Sequence, residues 1–353
     1  MPHILLIALD SVGIDPLGHD RADSVFSQSR FLFPRGKNGD VILLPEAPVP
    51  GALVATDVVG DGDRGGIECA VTYTSIFSGH SAADECGLLQ GLGLKEQAMR
   101  DLIARDNLFY RFRNPCLANA IFPLHLKFLG SSYVEDLVPS FDRHAIEAEL
   151  QFDGRPVRLK SPAKLGFAEL FTLGEINQNI FVHAARQAGV PLRTWDDVRR
   201  GEALTSTMTH ELEAQLNFEA LHLEPLALRT PPQAADVLAS LAEQHDFTFY
   251  KYQMPDLVSH TGRVDLARGI FDVIEAFLEA LLERINAAET IVIVTSDHGH
   301  LEQVGFSRGH PKSKVPTWYF GPDAQAQVRR MRRPEAIFQV VAELGEATVQ
   351  VQQ

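Results

Sequence analysis

The feature that most constrains this chain is a set of short apolar runs that end in acidic residues. Residues 3–9 read HILLIAL and precede Asp10, and residues 290–294 read TIVIV and lie just before Asp297. Continuous apolar runs of this length are typical of strands that are buried on both faces of a parallel sheet. The sequence therefore predicts a layered α/β fold.

Helical patterns alternate with further short strands along the rest of the chain. Apolar residues recur at helical spacing over residues 266–285, which predicts a long amphipathic helix. Other predicted strands cover residues 41–44, 117–122, 247–252 and 315–320, and other predicted helices lie within 75–105 and at 234–244 and 334–344. This alternation predicts a largely parallel sheet with helices on both faces.

Residues 123–232 differ in character from the sequence on either side. They combine short strand signals with an amphipathic helix near residues 175–187 and end at Pro231-Pro232. We interpret this segment as an inserted α+β cap, and residues 1–122 and 233–353 as one α/β core.

Composition limits the classes of function. The 353 residues include 46 acidic and 32 basic side chains, for a formal net charge of −14. This charge argues against nucleic-acid and membrane-surface partners, although bound metal ions would still allow a small phosphorylated substrate. The 3 cysteines include no close pair, so a reducing compartment is expected, and we predict a cytoplasmic protein that is a monomer or homodimer.

Acidic and histidine side chains follow three of the predicted strands or precede a fourth. In open α/β sheets such groups meet beyond the carboxyl ends of the strands. Three carboxylates and three imidazoles form a donor set that suits zinc, manganese or iron. The six candidate metal ligands are Asp10, Asp256, His260, Asp297, His298 and His310.

These motifs resemble the alkaline phosphatase superfamily, and within it the metalloenzyme domain of cofactor-independent phosphoglycerate mutase and phosphopentomutase. The matching stretches are residues 8–14 (ALDSVGI), residues 256–260 (DLVSH), residues 295–299 (TSDHG) and His310 followed by Val315-Pro316. They fall in the first and last thirds of the chain, and the predicted cap has no comparable motif.

The resemblance implies a centre with two divalent metal ions, zinc or manganese. It implies that Asp256, His260 and His310 bind one ion. It implies that Asp10, Asp297 and His298 bind the other, together with the nucleophile. Two such ions can hold the attacking and leaving oxygens of an in-line displacement at phosphorus.

Cys69 occupies the position at which the family normally has a threonine or serine nucleophile. That nucleophile stands six residues before a Thr-Leu-x-Thr-Gly-like stretch, which here is residues 75–79 (SIFSG). A helix N-terminus and a bound cation would both lower the pKa of a thiol at this position. Cys69 is therefore a candidate nucleophile or metal-bridging ligand. One alternative is Thr72 or Thr74 as the nucleophile, and another is that Cys69 is an inert packing residue.

Three functional hypotheses follow. The first is hydrolysis of a phosphate monoester, the second is a phosphomutase that acts on a small sugar or glycerate phosphate, and the third is a metal-binding protein without turnover. A sulfatase is disfavoured, because residues 70–73 (AVTY) lack the proline and arginine that formylglycine formation requires. Candidate substrate-binding residues are Asn119, Arg263 and Arg308, and His300 and Glu302 are candidates for supporting the ligands.

Overall fold

The structure is a computed structural model that describes residues 2–18, 21–34, 40–58, 69–86, 97–121, 147–152, 155–160, 180–210, 213, 224–306 and 310–350. Its strands are β1 His3–Leu9, β2 Val41–Leu43, β3 Gly51–Thr56, β4 Pro115–Leu117, β5 Ala120–Ile121, β6 Glu147–Phe152, β7 Arg155–Lys160, β8 Arg193–Thr194, β9 Phe247–Tyr252, β10 Thr290–Ser296 and β11 Val315–Phe320. Its helices are α1 Cys69–Ser78, α2 Ala82–Cys86, α3 Gln97–Arg105, α4 Ile180–Gln187, α5 Trp195–Arg200, α6 Pro231–Gln244, α7 Met254–Ser259, α8 Val264–Arg284, α9 Ala324–Val328 and α10 Pro334–Gln350.

Seven of these strands form one sheet in the order β2-β3-β11-β10-β1-β9-β4. The pairs β10-β1, β1-β9 and β9-β4 are parallel, whereas β11 pairs with β10, and β3 with β11 and β2, in antiparallel fashion. The predicted α/β class is confirmed. The structure adds an antiparallel edge at β2, β3 and β11, and the sequence analysis did not identify β3.

The continuous apolar run of β1 is explained by two hydrophobic clusters, one on each face of the sheet. Alternate strand residues point to opposite faces, so that Leu5 and Ile7 enter one cluster and Ile4 and Leu6 enter the other. Helices α6 and α8 cover the first face, and α1, α3 and α10 contribute to the second. A strand covered on both sides needs apolar side chains at every position, as β1 has.

The predicted strand at residues 117–122 is interrupted. β4 ends at Leu117 in the large sheet, and β5 begins at Ala120 and pairs with β8 in a separate two-stranded sheet. The intervening Asn119 is fully buried, and its side-chain amide bonds the backbone of Lys251 on both sides, at 2.8 Å each. At residue 119, hydrogen bonds from a buried asparagine side chain to β9 therefore take the place of backbone hydrogen bonds between strands.

The inserted cap stays a prediction, because much of residues 123–232 lies outside the described residues. The described part at 180–210 packs on both clusters of the core: Phe181 joins the cluster of α1, and Trp195 and Met208 join that of α8. A search of the described helices finds none with both the length and the apolar character that a membrane crossing requires.

Candidate metal centre

The register of the parallel strands brings the predicted ligands to one edge of the sheet. Leu9 at the end of β1 pairs with Ser296 of β10 on one side and with Tyr252 of β9 on the other. The next residues along β1 and β10 are Asp10 and Asp297, which therefore emerge side by side. This placement is the strand-end arrangement that the sequence predicted.

Ser11 links the loops that follow these strands. It has a φ of 71°, in the left-handed region that a non-glycine residue rarely adopts. In this conformation its backbone N–H donates to Asp297 Oδ1 at 3.2 Å, and its hydroxyl lies 2.5 Å from Asp256 Oδ1 and 3.1 Å from His298 Nδ1. A residue that contacts carboxylates from two strand ends fixes their relative position.

The first ligand group consists of Asp256, His260, His300 and His310, whose potential ligand atoms all lie within 4.8 Å of one another. Asp256 and His260 are four residues apart, at the start and just after the end of the short helix α7, and are therefore neighbours on one helical face. His260 Nε2 lies 3.3 Å from Asp256 Oδ1, and His310 Nε2 lies 3.5 Å from the same oxygen. Two imidazoles thus converge on one carboxylate oxygen.

The second ligand group consists of Asp10, Cys69, Asp297 and His298, whose potential ligand atoms also lie within 4.8 Å of one another. His298 Nε2 lies 3.4 Å from Asp10 Oδ1 and 3.6 Å from Asp297 Oδ2. Cys69 is the first residue of α1, and its Sγ lies 3.0 Å from the same His298 nitrogen. The Nε2 atom of His298 therefore lies close to the other three members of this group.

The two ligand groups are adjacent. The imidazoles of His298 and His310 are stacked, with ring centroids 3.7 Å apart and planes 19° from parallel. Ser11 contacts both groups, through Asp256 and through His298. The described geometry therefore forms one continuous centre rather than two separate sites.

The electrostatics of the two groups differ. Burial, together with the nearby Asp297 carboxylate, raises the pKa of Asp10 well above its usual range. Burial also acts to raise the pKa of Asp256, but hydrogen bonds from His260 and His310 outweigh it and hold that pKa well below its usual range. Buried carboxylates therefore lie close together in the second group, whereas in the first group hydrogen bonds from imidazoles stabilise the single carboxylate.

Lys251 provides a counter-charge that the sequence analysis did not identify. It lies on β9 and is 8% exposed, and its ammonium is 2.7 Å from Asp10 Oδ2 and 5.2 Å from the centre of the Tyr73 ring. Although burial opposes its charge, Asp10 and Asp297 raise the pKa of this lysine. The sequence signal for this role is a single lysine in the otherwise mostly apolar strand FTFYKY, at the position before the last residue of the strand.

The pKa of the Cys69 thiol differs from the sequence-based expectation that it is lowered. Burial raises the pKa of its thiol well above the usual value, and Asp297 and Asp10 raise it further. Burial and the two carboxylates therefore oppose the formation of a thiolate at this position. A thiolate at this position therefore requires additional positive charge.

The structure places the other candidate residues as follows. Thr74 donates its hydroxyl to the carbonyl of Ala70 within α1, at 2.7 Å, whereas the buried hydroxyl of Thr72 has no hydrogen-bond partner among the described residues. The Asn119 amide is occupied by the Lys251 backbone. Arg263 is partly exposed and pairs with Asp265 at 2.6 Å. Arg308 lies outside the described residues, so its predicted role stays a prediction.

The donor set fits divalent cations. Among the described residues, the buried Asp10 Oδ1, Asp297 Oδ2 and both ring nitrogens of His300 have no hydrogen-bond partner. Burying a polar atom without a partner is costly, and such atoms in one cluster need an explanation. Metal ions held by carboxylate, imidazole and thiolate donors would provide partners for both carboxylate oxygens and for one nitrogen of His300.

Comparison with known proteins agrees with this interpretation. The family model of the metalloenzyme superfamily matches residues 230–345. The match covers β9 to β11 and includes the first ligand group as well as Asp297 and His298, whereas Asp10 and Cys69 lie outside it. The family resemblance predicted from the sequence is thereby confirmed.

The chain is also similar to curated 2,3-bisphosphoglycerate-independent phosphoglycerate mutases. It is 37% identical to that of Haloquadratum walsbyi over 82 residues, which are 22% of this chain and 16% of the relative. It is 30% identical to that of Haloarcula marismortui over 107 residues, which are 29% of this chain and 21% of the relative. The matches thus span about a fifth of the relatives' length.

Comparison with solved structures gives weaker similarities. A cold-active alkaline phosphatase from Shewanella sp. has a TM-score of 0.49 at 9% identity, and the alignment covers 97% of this chain and 99% of that one. Phosphoglycerate mutase from Leishmania mexicana has a TM-score of 0.41 at 11% identity, with 97% and 95% covered.

Proposed function

We propose that this chain is a metal-dependent phosphoryl-transfer enzyme, and that hydrolysis of a phosphate monoester is its first candidate reaction. The observation that supports this proposal is the adjacency of the two ligand groups, joined by Ser11 and by the stacked imidazoles of His298 and His310. When bound, two divalent ions would neutralise the phosphoryl oxygens and stabilise a deprotonated nucleophile.

The charges of the protein suit a phosphorylated ligand only when cations are present. The centre contains three carboxylates, Asp10, Asp256 and Asp297, with Lys251 as the buried ammonium beside them. These side chains alone have a net negative charge and would repel a phosphate dianion. Two divalent ions would reverse that sign, which explains how an acidic protein can bind an anionic substrate here.

Cys69 is the proposed nucleophile. It stands at the N-terminus of α1, with its sulfur 3.0 Å from His298 Nε2 and within the ligand group that contains Asp10 and Asp297. Because the neighbouring carboxylates raise the pKa of the thiol, we expect it to react only in the metal-loaded protein. Thr72 remains the alternative nucleophile on the same helix, whereas the hydroxyl of Thr74 is bonded to the backbone of α1.

A phosphomutase is the second candidate, and the names of the curated relatives favour it. A mutase uses the same centre but returns the phosphoryl group to its substrate, so it must exclude water while the intermediate exists. Incubation with small sugar phosphates and with glycerate phosphates separates the two candidates. Release of inorganic phosphate supports the hydrolase, and formation of an isomer without free phosphate supports the mutase.

The direct test of phosphoryl transfer uses an aryl phosphate and protein loaded with zinc or with manganese. We expect turnover that Asp297→Ala lowers by more than about 100-fold, since loss of a ligand should cost more than loss of a residue that supports one. Asp236→Ala is the matched control, because that carboxylate is exposed and pairs with Arg284 at the surface.

Equal rates for wild type and Asp297→Ala would contradict the proposal. Two bound metal equivalents without turnover of any phosphate, phosphonate or sulfate ester would instead favour the third hypothesis, a metal-binding protein without catalysis.

A further inference from the structure

We propose that His300 is a fourth protein ligand of the cation in the first ligand group, which gives that site three imidazoles and one carboxylate and a preference for zinc over manganese. The proposal rests on the proposed two-cation function and adds a ligand that the six sequence-predicted ones do not include.

The first observation is that His300 is buried without a hydrogen-bond partner. Its side chain belongs to a residue that is 1% exposed, and neither ring nitrogen has a partner among the described residues. A histidine that served only to pack or to orient a neighbour would use at least one nitrogen in a hydrogen bond, because burying both unpaired is costly. Coordination of a metal ion would give one of these two nitrogens its partner.

The second observation is the position of the ring. The centroid of His300 lies 4.8 Å from that of His260 and 5.8 Å from that of His310, and the latter two lie 5.6 Å apart. The three rings are therefore similarly spaced, and each offers a nitrogen within 4.8 Å of the ligand oxygen of Asp256. His300 thus has the same relation to the group as the two imidazoles predicted from the sequence.

The third observation is that the loop holding His300 is firmly positioned. The His300 backbone N–H donates to Glu302 Oε2 at 2.9 Å, and the same oxygen accepts from the Gly13 N–H at 2.9 Å. A Cβ on Gly299 would lie 2.4 Å from Glu302 Oε1, so the carboxylate fits only because residue 299 is glycine. The His300 imidazole therefore lies on a turn that the Glu302 carboxylate links by hydrogen bonds to the loop after β1.

The donor chemistry determines the metal preference. Three nitrogen donors and one oxygen suit zinc, whereas manganese prefers oxygen-rich sites. Zinc also accepts a fifth ligand, so four protein ligands still leave a place for a substrate oxygen. The second ligand group has a single imidazole, His298, so any preference for zinc there depends on the sulfur of Cys69 rather than on nitrogen donors.

The test combines zinc-edge X-ray absorption with a competition titration against a zinc chelator, so it does not depend on activity. In Asp297→Ala, which weakens the second group, we expect the bound zinc to have three imidazole nitrogens at about 2.0–2.1 Å. His300→Asn on the same background should reduce that number to two and weaken zinc binding by more than about 100-fold, beyond the effect of losing a supporting residue. His80→Asn is the matched control, because His80 lies outside both groups and pairs with Glu85.

Spectra of the wild-type protein with two zinc ions provide a measurement that does not depend on a variant folding. Four imidazole ligands in total for the two zinc ions support the proposal, whereas three overturn it. A zinc affinity of His300→Asn equal to that of His80→Asn would also overturn it. Three imidazoles in the first group without any ester turnover would reject the proposed function but not the ligand. Turnover with only two imidazoles there would reject the ligand but not the function.

Discussion

The two ligand groups of the centre differ in both exposure and charge. In the first, the side chains of His260, His310 and Asp256 are 45%, 22% and 17% exposed, whereas His300 is 1% exposed. In the second, those of Asp10, Asp297 and His298 are at most 3% exposed. The first group balances one carboxylate with imidazoles, whereas the second buries two carboxylates beside a thiol and depends on Lys251. Metal binding should therefore matter most for the charge of the buried group.

The strongest test of this contrast is Lys251→Met. Removing the ammonium leaves Asp10 and Asp297 buried without their cationic partner, and breaking a buried pair in this way costs about 3–5 kcal/mol. We expect that loss in the free energy of unfolding of metal-free protein, measured with urea, and a partial recovery when zinc is added.

Arg284→Met is the control for this experiment. Arg284 pairs with the exposed Asp236 at the surface, and such pairs contribute about 0–1 kcal/mol. If Lys251→Met were no more destabilising than Arg284→Met, the second group would not depend on this lysine.

The next effect concerns the nucleophile of the buried group. We expect Cys69→Ala to lower aryl phosphate turnover by more than about 100-fold, since loss of the nucleophile should cost more than loss of a residue that supports a metal ligand. Cys69→Ser should retain a rate within about tenfold of wild type, because a hydroxyl can occupy the same position beside the metal ions.

Cys86→Ala is the matched control, since Cys86 lies outside both ligand groups. Full activity of Cys69→Ala combined with inactivity of Thr72→Val would assign the nucleophile to Thr72 and refute the role of Cys69.

A smaller effect is expected at Glu302, which ties the two groups together. Its carboxylate accepts from the backbone N–H groups of Gly13 and His300. Glu302→Ala leaves two buried donors without an acceptor and should lower the free energy of unfolding by about 1–3 kcal/mol. Glu302→Gln retains an acceptor oxygen and should be less destabilising in the same denaturation experiment. Equal stability of the alanine variant and wild type would show that the loops do not need this link.

The smallest effect is expected at Arg263, near the exposed first group. Because its pair with Asp265 is exposed, Arg263→Ala should change the free energy of unfolding by less than about 1 kcal/mol. The KM for aryl phosphate tests the separate prediction that Arg263 binds substrate. An increase of about tenfold would support that role, and an unchanged KM would exclude it.

Much of the fold could be predicted because the strands of the parallel part are buried on both faces. Continuous apolar runs revealed β1, β9 and β10, and the residues that follow them include most of the predicted ligands. β3 was missed, since Gly51–Thr56 (GALVAT) contains glycine and alanine and follows a Pro- and Gly-rich region where periodicity is weak. The break at Asn119 depends on a bond to Lys251, which is 132 residues away in the sequence and leaves no local pattern.

The site was predictable where residue type and strand position coincided. Asp10, Asp297 and His298 could be found in this way, and the structure brings them together with Asp256, His260 and His310. The roles of Lys251 and Ser11 could not be predicted, because only contacts across the sheet distinguish them from any other lysine in a strand or serine in a loop. The raised pKa of Cys69 was also unpredictable, since it follows from burial and from carboxylates distant in sequence.

The most direct test of the central claim is a diffraction measurement on crystals soaked with zinc, with anomalous data collected at the zinc edge. The account predicts two peaks about 4 Å apart, one within the group of Asp256, His260, His300 and His310 and one within the group of Asp10, Cys69, Asp297 and His298. Zinc bound elsewhere, with neither group in contact with an ion, would contradict it.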